Sequence, residues 1–144
     1  MNFQDIVKRH RCPLVNGIFL ADGEVFLLAY ATPENAGIQV LGRTRLDRLD
    51  TEDTGTIEFD YLGQACRGGH QLRFGEGSFG ADGVAGLFLE GELRWFLFLD
   101  NCNPFCSARL DGDAAVLHST SGAIFSVPLV APQCLRLIQG PVFS

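Results

Sequence analysis

At 144 residues, 47% hydrophobic, 10% aromatic and 19% charged, the chain suits one domain and is too apolar for disorder. A formal charge of -6 and a pI near 4.9 oppose nonspecific nucleic-acid binding, which depends on Lys and Arg neutralising phosphates. The longest apolar run, Val25 to Ala31, falls far short of the roughly 18 residues a membrane helix needs, and a core of this size folds without metal or disulfide.

The first element is a short helix. Asn2 followed by Asp5 is a start signal, and Phe3, Ile6, Val7 and His10 then share one face until Pro13 ends the run. The start lacks the apolar stretch and cleavage pattern of a secretory leader, so a cytoplasmic location is expected. From Pro13 onward, β-branched and aromatic runs of five to nine residues alternate with Gly, Asp, Asn and Pro. No second helix is expected.

Three Asp-Gly dipeptides read as hairpin turns, because two central residues with positive φ match the strand twist. Asp22-Gly23 joins Leu14–Leu20 to Glu24–Ala31, Asp82-Gly83 joins Leu72–Phe79 to Val84–Glu90, and Asp111-Gly112 joins Cys106–Leu110 to Asp113–Ser119. Glu90-Gly91 and Ser121-Gly122 read as weaker turns of the same kind, which makes the second half a near-continuous meander. Pro33–Gly37 and Leu49–Thr54 are expected as long exposed connections. In Thr56–Tyr61 apolar and polar side chains alternate, so one face meets the core while Glu58 and Asp60 point to water. Leu93–Leu99 is apolar on both faces after Arg94, which places it at the centre of the fold. The greasy strand, acid-Gly turn and second greasy strand recur at unequal separations, so they are not a repeat. The expected architecture is mainly β: an antiparallel sandwich or partly closed barrel of about ten short strands with one short N-terminal helix, as a single domain over residues 1–144.

Charge is concentrated. Residues 47–60 hold Asp47, Asp50, Glu52, Asp53, Glu58 and Asp60 against Arg48 alone, and such density steers cationic surfaces or is simply solvated. Arg43 and Arg45 share a strand face beside these acids, where ion pairing accounts for them. Lys8 is the one lysine among eleven basic residues, a ratio that suggests a GC-rich bacterial or phage coding sequence.

Five cysteines without a leader favour reduced thiols. Cys66, His70, Cys102 and Cys106 supply the ligand types of tetrahedral zinc, but each pair has three intervening residues where two is the commoner spacing. A thiol nucleophile at Cys102 or Cys66 would need His70 or His118 as base and Asp100 or Asn101 as orienting group, and no family signature surrounds it. Ser119-Thr120-Ser121-Gly122 lacks a nucleophile elbow. The glycines near Arg67 and Phe74 lack a phosphate-loop lysine, and Glu90 and Glu92 flank a solvated turn. Trp95, Phe96 and Phe98 read as core, with the lining of a ligand cavity as the alternative.

With no convincing catalytic set, no cofactor and no resident metal are expected, and the reading is a non-catalytic binding protein. The expected partner is a protein with a basic surface, such as a bacterial toxin or enzyme blocked by an immunity-type inhibitor, neither nucleic acid nor membrane. The binding residues would be Asp47, Asp50, Glu52, Asp53, Glu58 and Asp60, with nearby exposed aromatics as anchors. The alternatives are a small-molecule-binding β-barrel and a thiol- or zinc-dependent enzyme.

Overall fold

The computed structural model describes residues 1–30 and 37–142. It is mainly β, with two antiparallel sheets. Helix α1 (Phe3–Arg9) begins in a reciprocal capping box, in which the Asn2 side chain accepts the Asp5 amide and the Asp5 carboxylate accepts the Asn2 amide. His10, at φ 51°, ends the helix in a left-handed cap before Pro13 is reached, and residues 11–13 already form strand β1 (Arg11–Pro13).

The remaining strands are β2 (Gly17–Leu20), β3 (Glu24–Tyr30), β4 (Ile38–Arg45), β5 (Thr56–Arg67), β6 (His70–Gly77), β7 (Gly83–Leu89), β8 (Glu92–Leu99), β9 (Phe105–Asp111), β10 (Ala114–Ser119), β11 (Ile124–Pro128) and β12 (Arg136–Gln139). Among the described residues eight of the twelve strands run in the order β1-β5-β6-β7-β8-β2-β3-β4, and the other four form the meander β12-β11-β10-β9. The count of twelve exceeds the expected ten because β1 and β12 are too short to stand out as apolar runs. The connection expected at Leu49–Thr54 contains a second helix, the single turn α2 (Thr51–Thr54), whose cap is described below. Most of the other expected connection, Pro33–Gly37, lies outside the described residues.

β8 occupies the middle of the large sheet, as its two-sided apolarity implies. Trp95, Leu97 and Leu99 point towards the small sheet and pack with Phe105, Leu117, Phe125 and Val127. Phe96 and Phe98 point the other way, into a second core closed by Ile6 of α1, Cys12 of β1, and Ile57 and Phe59 of β5. At roughly 1.5–3 kcal/mol for each large side chain fully buried, these two layers supply the main driving force for folding. The sheets also draw together at their margins, where β9 lies over β5 and β6 and β12 approaches β4. The space between them is filled by side chains, Trp95, Phe105 and Phe125 among them.

The turns follow φ more closely than dipeptide identity. The two-residue hairpin with both centres at positive φ is Glu90-Gly91, at 50° and 82°, joining Leu89 directly to Glu92. Asp22-Gly23 closes a three-residue loop with Gly23 at φ 91°. At the third site the pair Asp111↔Ala114 leaves Gly112 and Asp113 as the centres. Asp82-Gly83 is not a turn: Asp82 is buried and Gly83 begins β7, where a Cβ would stand 2.6 Å from the Cys102 sulfur. The bend between β6 and β7 belongs instead to Gly80, at φ 78°.

Among the described residues five β-bulges break the two-residue period. The unmatched residues are Leu41, Leu62, Arg94, Cys106 and Ile138, and all five side chains are exposed.

Candidate functional site

The acidic segment starts where β4 ends. Buried Leu46 pins a short 3-10 turn (Leu46–Arg48), its amide donating to the Gly23 carbonyl at 2.8 Å, and this leaves Asp47 and Arg48 outside. Asp50 then caps α2: its carboxylate accepts the amides of Glu52 and Asp53 at 3.1 and 3.3 Å. Glu52 and Asp53 occupy the first turn, where the exposed amides favour negative charge. Gly55, at φ 81°, ends the helix, and its carbonyl accepts the Leu14 amide, tying α2 to the end of β1.

On β5 the expected alternation holds, with Ile57 and Phe59 buried and Glu58 and Asp60 exposed. Glu58 meets Arg11 of β1 at 2.6 Å, and Asp47 meets Arg45 at 3.9 Å. Among the described residues, Asp50, Glu52, Asp53 and Asp60 form no ion pair. All six carboxylates predicted as a binding set are exposed.

Two residues of this surface escape a reading of the sequence. The register of β5 on β6 sets Glu76 directly across from Asp60, a like-charged cross-strand pair that costs about 0.2–1 kcal/mol. Phe79 is expected inside a strand, yet β6 stops at Gly77, and the Ser78 amide donates to the Glu58 carbonyl at 2.8 Å. Phe79 is therefore carried beside the β5 acids on the β6–β7 loop and is 74% exposed. The one early signal was Gly80 directly after it. Phe79 is thus an exposed aromatic one residue from the backbone contact with Glu58.

The thiol and zinc sets do not assemble. Among the described residues no three His, Cys, Asp or Glu side chains converge to hold a metal. Cys66 is exposed on β5 and His70 opens β6, while Cys106 is a bulge residue whose sulfur contacts the His118 carbonyl at 3.5 Å. Cys102 is buried with its sulfur directed at the carbonyls of Leu99 and Asn103, and burial pushes its pKa up to about 12. His118 Nε2 contacts Arg109 at 3.1 Å, and among the described residues the side-chain hydrogen bonds of Asp100 and Asn101 do not include it. Ser119 is buried and donates to the Cys102 carbonyl, holding the turn before β11.

The described residues form a mainly β, two-sheet antiparallel protein, with the six carboxylates between Asp47 and Asp60 exposed. Compared with models of protein families and with curated proteins, the sequence matches none.

Proposed function

We propose that this chain is a non-catalytic binding protein of the immunity type, which blocks a bacterial toxin or enzyme by covering a basic surface on it. The observation that carries the reading is an exposed aromatic near exposed acids: Phe79 follows Ser78, whose amide donates to the Glu58 carbonyl of β5, and Asp50, Glu52 and Asp53 lie on α2, which leads into the start of that strand. Carboxylates at this density raise the rate of encounter with a cationic partner, and a protruding ring supplies the desolvated anchor on which affinity concentrates. Cys12 and Cys102 are structural in this reading, since both are core residues.

The partner to test is the product of the reading frame adjacent in the native genome. Reversing Asp50, Glu52 and Asp53 to Lys should slow association by about tenfold or more at low salt, with the difference shrinking as salt screens the charges. Phe79→Ala should leave association unchanged and hasten dissociation. Binding kinetics unaffected by both variants would refute this surface as the docking site.

A further inference from the structure

The loop that carries Phe79 is closed at its base by a buried acid. Between Gly77, where β6 ends, and Gly83, where β7 begins, five residues turn back on themselves, with Gly80 at φ 78° and its amide donating to the Gly77 carbonyl at 3.0 Å. The Gly77 amide donates to the Asp82 carbonyl at 3.3 Å. The Asp82 side chain lies so close against Gly77 that a Cβ there would stand 2.7 Å from Oδ2. The loop is also tied to the β8–β9 connection, where the Asn103 amide donates to the Ala81 carbonyl at 3.0 Å and the Asn101 amide to Asp82 Oδ1 at 3.4 Å. Both asparagines take positive φ, 56° and 67°, a conformation their side chains tolerate, on either side of buried Cys102.

Asp82 is 5% exposed, and little offsets its charge. A single amide at 3.4 Å is a long hydrogen bond, and among the described residues Oδ2 has none. The elements packed around it bring no free cation. β1 brings the Cys12 thiol and Arg11, whose guanidinium is engaged by Glu58 of β5 at 2.6 Å; β6 brings Glu76, across the ladder from Gly83; the β8–β9 connection brings Asp100 and the Cys102 thiol. Burial, helped by the charge of Asp100, outweighs the Asn101 amide and keeps the proton on Asp82 above the ordinary aspartate range.

We propose that Asp82 is a protonation latch on the β6–β7 loop: the neutral acid holds residues 78–82 shut, and the carboxylate reaches water by opening them, which releases Phe79 from its fixed position. The sign follows from linkage. Below the ordinary aspartate range the shut and the open loop both hold the proton, so the latch is at its tightest. As pH rises towards the pKa of the shut form, the open population grows by up to about tenfold per pH unit, and above that pKa it levels off. Only the consequence for a partner, weaker anchoring at higher pH, rests on the reading of Phe79 given above.

The experiment measures amide hydrogen exchange in the free, intact protein by NMR from pH 4 to pH 8. Each rate is taken as a ratio to that of the Asp82→Asn variant at the same pH, which cancels the intrinsic pH dependence of exchange. At Gly80 and Asn103 the ratio should rise at least about threefold across the range. At Leu46 and Leu129, whose amides donate to the Gly23 and Asp113 carbonyls, it should stay constant, because the opening is local. A flat ratio at Gly80 and Asn103 overturns the proposal, and so does an equal rise at Leu46 and Leu129, which marks global unfolding. If the ratios behave as expected while Phe79→Ala leaves partner dissociation unchanged, the latch stands and the anchor assignment falls.

Discussion

Phe59 and Phe96 are separated by three strand steps in the order β5-β6-β7-β8, which in a flat sheet would be about 14 Å. Their ring centroids are 4.4 Å apart, so the large sheet must coil enough to bring its β5 margin back over its middle. The contact is testable by a double-mutant cycle. Phe59→Leu and Phe96→Leu each keep an apolar side chain in a buried site and should each cost roughly 1–1.5 kcal/mol. Because each removes the same ring pair, the double variant should lose less than the sum, by about 0.5–1.5 kcal/mol. For 144 residues each kcal/mol corresponds to about 3 °C in melting temperature, so the shortfall is measurable by heat as well as by urea. Far-UV circular dichroism follows the sheet, and Trp95 emission follows the opposite core. A control cycle pairs Phe59→Leu with Leu97→Val, which faces the other layer, and should be additive within about 0.3–0.5 kcal/mol. Additivity of the Phe59 and Phe96 variants would refute the coiled sheet and its shared core.

Gly91→Ala should destabilise the protein by about 1 kcal/mol in urea unfolding because position 91 sits at φ 82°, whereas Glu90→Asn at φ 50° should stabilise it slightly. Burial raises the Asp82 pKa above its unfolded value, so ionisation costs stability as pH rises through the folded pKa, and no cost remains below the unfolded one. Asp82→Asn keeps an acceptor for the Asn101 amide and should therefore melt higher than the parent at pH 7, with the gain fading as pH falls through the ordinary aspartate range; a lower melting temperature at pH 7 would contradict this. A maleimide should label the native protein at Cys66, Cys106 and Cys134 and leave Cys12 and Cys102 unmodified until denaturant is added, as peptide mapping would show.

Local periodicity was enough to orient the strands that carry it without interruption. Ile57 and Phe59 against Glu58 and Asp60, and the two-sided β8, follow directly from residue order because a strand turns successive side chains to opposite faces. The turns were located by their glycines, but which residue takes positive φ depends on strand register, so Glu90-Gly91 forms the tight hairpin while Asp82-Gly83 forms none. Bulges cause the same difficulty: Leu41, Leu62 and Ile138 look like core residues by type, and each is pushed outward as the unmatched member of its ladder. The six clustered acids were legible because their density is a property of contiguous sequence. Glu76 and Phe79 were not, since only pairing with β5 brings them there. Ligand types alone do not establish convergence: among the described residues no three of the His, Cys, Asp and Glu side chains come together to hold a metal.

The bulge at Leu41 has a bearing on solubility. β4 is the outermost strand of the large sheet, and an uninterrupted margin of that length would template the addition of a foreign strand. The inserted residue divides it into two short stretches out of phase with one another, the second of which carries Arg43 and Arg45. An approaching chain could match one stretch or the other but not both, and would meet two guanidinium groups on the longer. The bulge and the two cationic side chains thereby make this border a poorer template for an added strand.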